Sequence, residues 1–421
     1  MKKVSLILCI VFLSFDIQTQ NFYSFLHDTC ISKRGIFFST QGFANSTSLN
    51  TKFIQTWLNS GFISDKIKNE SLKRMNNKNY AGACFSGSAY YMVDQYNTLS
   101  KTGLIGFFVG IESNYMLSVK FQNDLFRLAF IGNKSFENDT IILNDNKFIS
   151  LAYDKIGGGI YKRISNENGI ALGSVTLNFL ITTKYKNIHL KNAELYTAPY
   201  AEFINVKANF TSNISDTNAK SFISFNGYGV STDLFYKFLS YKKLKYYFLI
   251  HNLGFIKMNK NSLNLTHDTA FRFDGIELNK VIQNGNMTWN IGNSDSIINS
   301  YIPSYKKETF FIPVPCNLSA GLSYPVIKDF FYVYFDLNYI LFIPYRPKYK
   351  LTAEYKLNKF LKISPAVSYG GFNKINAGIQ LSFKNKYLEI NTGSDDINGL
   401  LLPYKSSGLS AYFSVLFNLQ K

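Results

Sequence analysis

From Leu409 to Gln420 every second side chain is apolar: Leu409, Ala411, Phe413, Val415, Phe417 and Leu419 alternate with Ser410, Tyr412, Ser414, Leu416, Asn418 and Gln420. Successive side chains of an extended strand point to opposite faces, so this segment has one oily face and one mostly polar face. The same period governs Ile375 to Lys384, and a turn at Asn385 and Lys386 then leads to Leu388 and Ile390 set against Glu389 and Asn391. That pair reads as a hairpin. Nearer the N-terminus, Ile105, Phe107, Val109 and Ile111 oppose Gly106, Phe108, Gly110 and Glu112. We expect a turn at Ser113, after which Tyr115, Leu117, Val119 and Phe121 resume the alternation. Further runs lie at Phe148 to Ile164, Gly169 to Thr182, Ser221 to Phe238, Leu244 to Phe255, Phe330 to Leu341, Tyr349 to Leu357 and Lys362 to Tyr369. Gly157, Gly158 and Gly159, and Gly370 with Gly371, are expected to mark bends or bulges, since no helix follows them as a phosphate loop requires.

Segments of roughly nine to eleven residues are what a tilted strand needs to cross a bilayer. After Phe15 no stretch holds the ~18 consecutive apolar residues of a membrane helix, so any crossing is by strands. Only a closed barrel lets strands satisfy every backbone N–H and C=O without water. Alternation alone also fits a soluble sandwich or propeller. Charges on the polar face separate the two, because Lys120, Glu354, Lys384 and Glu389 are costly in a dry core and sit easily against a hydrated lumen. Aromatic residues at 17%, with 29 Tyr and 39 Phe, suit girdles at two membrane interfaces. The expected fold is therefore an all-β, antiparallel transmembrane barrel of about 14 strands, within a range of roughly 12 to 16.

Two regions break the pattern. Residues 64–76, with Ile67, Ser71, Leu72 and Met75 at helical spacing after Ser64, read as a short helix inside the barrel or on its periplasmic side. Residues 259–315 hold little alternation and read as a long extracellular loop or a plug.

The N-terminus sets the expected compartment. Lys2 and Lys3 precede an apolar run from Val4 to Phe15, too short to span hydrocarbon, which reads as a signal peptide over residues 1–20. The mature barrel chain, residues 21–421, then starts near Gln20 or Asn21. Cys9 leaves with the signal, and the remaining Cys30, Cys84 and Cys316 allow one bridge, for example Cys30 with Cys84, or free thiols.

The formal charge of +18 comes from 45 basic and 27 acidic residues. Its lysines are scattered through turns and loops and form no stripe, which argues against nucleic acid. They fit either a basic rim facing lipopolysaccharide or the Lys, Asn, Ile, Tyr and Phe bias of an A/T-rich genome.

Little in the sequence suggests chemistry. His27, His189, His251 and His267 have no metal-ligand spacing. His251 beside Asn252 is the one hint of a hydrolase triad, and it lacks a placed serine. Asp395 and Asp396 read as solvated loop carboxylates, too few for calcium. We expect no catalytic, cofactor-binding or metal-binding residues, and no cofactor.

Several short blocks resemble a family. Ser46 to Phe53, Asn59-Ser60-Gly61-Phe62 and Phe126-Arg127-Leu128 with Gly132-Asn133 are similar to the N-terminal half of an uncharacterised group of Bacteroidota outer-membrane barrels, themselves distantly similar to fatty-acid-transporter-like barrels. Asn252-Leu253-Gly254-Phe255-Ile256 with Asn259-Lys260-Asn261, and Phe273-Asp274-Gly275-Ile276, resemble its central block. Ile312-Pro313-Val314-Pro315, Ala320-Gly321-Leu322-Ser323-Tyr324, Tyr369-Gly370-Gly371-Phe372 and Asn376-Ala377-Gly378 resemble its return and closing hairpins. This chain departs from the group in having Asn50-Thr51-Lys52-Phe53 where an Asn-Pro-Ala-Phe stretch is usual, and in ending at Lys421 instead of an aromatic.

The resemblance implies a fold and a location, not a reaction. The expected function is non-enzymatic: passive transport of small or hydrophobic molecules across the outer membrane or, alternatively, a scaffold or accessory subunit of a type IX-like secretion or gliding machinery. Expected partners are outer-membrane lipid, lipopolysaccharide and other envelope proteins.

Overall fold

The computed structural model describes residues 22–23, 34–95, 104–216, 225–240, 244–274, 282–283, 286–287, 305–327 and 330–419. The expected signal peptide and Cys30 lie outside them. Fourteen strands form the wall: β1 (Arg34–Ser46), β2 (Asn79–Gln95), β3 (Leu104–Phe121), β4 (Asn146–Asn166), β5 (Gly169–Thr197), β6 (Gly227–Ser240), β7 (Lys245–Met258), β8 (Cys316–Ile327), β9 (Phe331–Leu341), β10 (Lys348–Lys356), β11 (Leu361–Gly370), β12 (Ile375–Lys384), β13 (Leu388–Ser394) and β14 (Gly408–Asn418). Each pairs antiparallel with its neighbour in the chain, and β14 returns to β1 from Gly35↔Asn418 to Asn45↔Gly408. The sheet is closed, so no edge is left in the wall.

The two-residue period sorts the side chains as the sequence predicts. On β14, Phe413 and Phe417 point outward and are 45% and 43% exposed, while Ser410 and Ser414 point inward at 1% each. The inward charges singled out in the sequence are paired: Lys384 Nζ lies 2.7 Å from Glu389 Oε2, Glu354 Oε1 lies 3.3 Å from Lys362 Nζ, and Lys120 meets Asp145.

Two local expectations are corrected. There is no turn at Ser113: β3 runs unbroken for 18 residues, with Ser113 opposite Gly87 on one side and Asp154 on the other. Because the alternation keeps its phase through Ser113, one long strand accommodates it without a reversal. Gly157 to Gly159 are not a bulge either, since they stay in register with β3. Their lack of a Cβ makes room instead: one on Gly157 would lie 1.9 Å from Asn178 Oδ1, and one on Gly159 would lie 2.5 Å from the Phe108 ring. Gly370 and Gly371 do occupy the tight connection after β11, at φ of 103° and 64°.

The two ends of the barrel differ. At one end β4–β5, β6–β7, β8–β9, β10–β11 and β12–β13 are joined by short connections, and β1 begins and β14 ends there. The four longest connections, β1–β2, β3–β4, β5–β6 and β7–β8, are at the other end. There α1 (Thr51–Leu58), α2 (Asp65–Leu72) and α3 (Asn123–Phe130) pack Leu49, Phe53, Ile54, Ile67 and Phe126 into one cluster. The Asn50 side chain caps α1 by accepting from Phe53 N–H at 2.7 Å. The expected helix over 64–76 is α2, with Ser64 at its N-cap position.

At the same end β5 continues past the rim, where Lys186–Thr197 pairs with Ile204–Ile214, which in turn pairs with Leu263–Phe273. The described part of 259–315 thus contributes a strand to this projection. It also contributes Phe311–Pro313, paired with β7, and places Ile312 and Val314 among buried residues of the lumen.

Candidate functional site

A period-two strand cannot send adjacent residues to the same side, yet His251 and Asn252 both face the lumen. The register of β6 and β7 steps from Thr232↔Leu253 to Leu234↔Ile250, leaving His251 and Asn252 together opposite Asp233. Asn252 takes φ of 65° to close this bulge, a left-handed conformation that asparagine tolerates better than most residues. Its backbone N–H donates to Asp233 Oδ1 at 2.6 Å.

Around the bulge lies a buried ionic layer. Lys155 of β4, whose side chain is 1% exposed, places Nζ 2.6 Å from Glu112 Oε2 of β3 and 3.5 Å from Asp233 Oδ2 of β6. Nζ also lies 2.7 Å from His251 Nε2 and 3.0 Å from Asn252 Oδ1. An ammonium has donors only, so Nε2 accepts and the proton of a neutral ring sits on Nδ1. Asn252 Nδ2 donates to the Tyr153 hydroxyl at 3.0 Å, Asn178 Nδ2 to Asp233 Oδ2 at 3.1 Å, and the Tyr90 hydroxyl to Glu112 Oε2 at 3.1 Å. Nearly every polar atom is matched, as burial demands.

Two residues that precede the wall complete the layer. Phe22 and Tyr23 are each 1% exposed and sit inside the barrel. The Tyr23 hydroxyl donates to Asp233 Oδ2 at 2.8 Å and lies 2.9 Å from Thr176 Oγ1. The Phe22 ring stacks on Tyr90, centroids 4.3 Å apart. Toward the short-connection end they are enclosed by inward Phe37, Met92, Phe108, Leu172, Phe235 and Leu416. Toward the other end the lumen is lined by Leu151, Tyr153, Leu180, Ile256 and Met258. Glycines let the aromatic rings lie flat on the wall: a Cβ on Gly110 would come 2.1 Å from the Tyr90 ring. Beside the ionic layer a cavity of about 100 Å³ remains, bordered by Tyr23, Ser39, Gln41, Ser86, Asn114 and Asn317. That is room for a few waters.

The arrangement holds and orients, and it offers little chemistry. No serine is hydrogen-bonded to His251 among the described residues, so the hydrolase hint gains no nucleophile. The position between Glu112, Asp233 and His251 is filled by the Lys155 ammonium. His189 lies at the rim, 3.4 Å from Asp145, and His267 lies on the projection beside the Phe210 ring. His27 and Cys30 fall outside the described residues. Cys316 is buried, and Cys84 borders the cavity.

A second charged cluster lies toward the long-connection end and corrects the reading of Asp395 and Asp396. Neither is solvated; they are 3% and 1% exposed. Asp395 is gripped by Lys348 Nζ at 3.0 Å and Lys350 Nζ at 2.6 Å. Burial pushes its carboxyl up, but Lys350 and Lys348 outweigh that and hold it below the usual value. Asp396 accepts from Asn373 Nδ2 at 2.9 Å, and burial raises its carboxyl to about 7. Nothing in the sequence marks these lysines, because β11 and β12 stand between β10 and β13 and the charges meet only once the sheet curves round the lumen.

The fold and its lumen define a closed, antiparallel 14-stranded β-barrel of the build found in outer-membrane proteins, with its interior occupied by its own side chains. The chain belongs to a family of unknown function, DUF5723, whose model matches residues 34–395. No curated protein matches it. Similar solved structures include the TodX deltaS2S3 mutant monoaromatic hydrocarbon channel, at 10% identity and TM-score 0.36, covering 93% of this chain and 91% of that one. The translocator domain of the autotransporter NalP from Neisseria meningitidis has 9% identity and TM-score 0.26, covering 94% and 92% of the two chains. The transport unit of the autotransporter AIDA-I from Escherichia coli has 8% identity and TM-score 0.27, covering 96% and 93%.

Proposed function

We propose that this is a non-enzymatic barrel of a Bacteroidota outer membrane, exported through a cleaved signal peptide, which passes small or hydrophobic molecules when Phe22 and Tyr23 leave the lumen. The observation that carries the reading is the position of these two residues: they belong to no wall strand, yet both are buried inside the barrel beside the ionic layer and Tyr23 is tied to Asp233. Short connections at the end where the wall begins and finishes support placing that end in the periplasm, with the helices and the projection outside. Exposed outward residues such as Phe107, Val109 and Ile111 supply the lipid-facing surface, and lipid and lipopolysaccharide are its expected surroundings.

Single-channel recording in planar bilayers tests this. The Phe22→Ala/Tyr23→Ala protein is expected to conduct at least about tenfold more often than wild type. Equal silence from both would remove the transport reading. The projection formed by Ile204–Ile214 and Leu263–Phe273 favours a second reading, a scaffold or accessory subunit of a secretion or gliding machinery. Cross-linking from cysteines placed on that projection in native envelopes, with loss of secretion or gliding on its deletion, would select it.

A further inference from the structure

We propose that the cradle around Tyr23 is a binding site for a phenol-type ligand, a single aromatic ring bearing a hydrogen-bonding hydroxyl, and that Tyr23 fills it as the chain's own stand-in. This rests on the reading of Phe22 and Tyr23 as a removable stopper and adds the class of molecule that would take their place.

The ring position is shaped for an aromatic group. Phe108 meets the Tyr23 ring edge-on, with centroids 6.2 Å apart and planes at 83°. Phe235 lies 5.7 Å away, and His251 presents a third ring at 6.1 Å and 69°. Edge-to-face contacts at these separations favour a flat π system over an aliphatic group of equal bulk.

The hydroxyl position is equally specific. Asp233 is fully buried, and its Oδ2 draws donors from Tyr23 and from Asn178. A ring without a hydroxyl leaves one of these donors missing at a buried carboxylate, which is the costly kind of mismatch. A phenolate is disfavoured as well, because its charge would face both Asp233 and Glu112. Thr176 Oγ1, 2.9 Å from the same hydroxyl, adds a neutral partner that fixes the ring's direction. The site therefore selects for a neutral phenol over toluene, and over cyclohexanol through the ring contacts.

Binding to detergent-solubilised protein tests the site without requiring conductance. Equilibrium dialysis would compare p-cresol with toluene on Tyr23→Gly and on wild type. We expect p-cresol to bind Tyr23→Gly about tenfold or more tightly than toluene, and wild type to bind neither at the same concentration. Adding Thr176→Val should weaken p-cresol several-fold and leave toluene unchanged. Toluene binding as well as p-cresol, or p-cresol binding equally to wild type, overturns the assignment. Heat-modifiable migration on gels verifies that each variant is folded; if Tyr23→Gly is not, Tyr23→Val vacates the hydroxyl position while keeping some apolar contact. Binding without any gain in conductance leaves this site standing and sinks only the stopper as a gate. Conductance without selective binding does the reverse.

Discussion

Lys155 Nζ lies 2.6 Å from Glu112 Oε2 on the neighbouring strand, inside the barrel, with the two side chains 1% and 9% exposed. The pair is hydrogen-bonded on every side, and its removal would be felt through what it leaves behind. Lys155→Met strips the ammonium from between Glu112 and Asp233 and leaves two carboxylates facing each other in a poorly hydrated lumen. Breaking a buried pair from one side costs ~3–5 kcal/mol. The midpoint of urea unfolding in detergent, followed by heat-modifiable migration, should fall accordingly. Glu112→Gln combined with Lys155→Met removes the excess charge and should recover part of the loss; a double variant no better than the single would argue against charge as the cause.

The wall was legible because its rule is local. Val415 and Phe417 point to one side and Ser414 and Leu416 to the other for a reason contained in the backbone pleat, and that reason repeats from strand to strand. The lumen was not legible in the same way. His251 and Asn252 break the rule through one left-handed residue, and nothing in Ile250-His251-Asn252-Leu253 distinguishes a bulge from plain alternation. Tyr23, Lys155 and Asp233 follow one another along the chain at separations of 132 and 78 residues, so their meeting is a property of closure. Asp395 and Asp396 failed for a related reason: a connection between strands is normally wet, whereas this one folds back over Lys348 and Lys350.

The outward face makes a direct test of whether the wall meets lipid. Val415 is half-buried on the outward side of β14. On the water-facing side of a soluble sheet, Val415→Arg would fall within about 0.5 kcal/mol of wild type. Facing hydrocarbon near the bilayer middle it should cost ~2–4 kcal/mol. Folding into lipid vesicles, titrated with urea, distinguishes the two. Ser414→Arg is a less clean control than the alternation alone suggests, because Ser414 is 1% exposed in an occupied interior and a large side chain there is also crowded.

Asp396 gives the barrel end a pH dependence of definite sign. Its carboxyl titrates at about 7 in the folded protein, against 3.8 when unperturbed, chiefly because it is buried. A raised carboxyl binds its proton more tightly when folded, so the contribution is fully present below the unfolded value and is lost as pH rises through 7. At ~1.4 kcal/mol per unit the loss between pH 4 and pH 8 is at most about 4 kcal/mol. Asp395, held low by its two lysines, acts in the opposite sense and only at more acidic pH. Asp396→Asn should flatten the profile between pH 4 and pH 8 and raise stability most at the alkaline end. An unchanged slope would show that another group sets it.

Asn252 joins the backbone and side-chain halves of the site, and two substitutions separate them. Its φ of 65° is easy for glycine and strained for alanine. Its side chain receives from Lys155 at 3.0 Å and donates to Tyr153 at 3.0 Å. Asn252→Gly keeps the bulge and loses both bonds, so it should cost about 1–3 kcal/mol through the unsatisfied partners. Asn252→Ala loses the same bonds and adds backbone strain of order 1 kcal/mol or more. Thermal midpoints in detergent should therefore fall in the order wild type, Asn252→Gly, Asn252→Ala. If alanine matched glycine, the left-handed residue would not be what turns His251 and Asn252 to the same side, and the ionic layer itself would have to be holding the bulge.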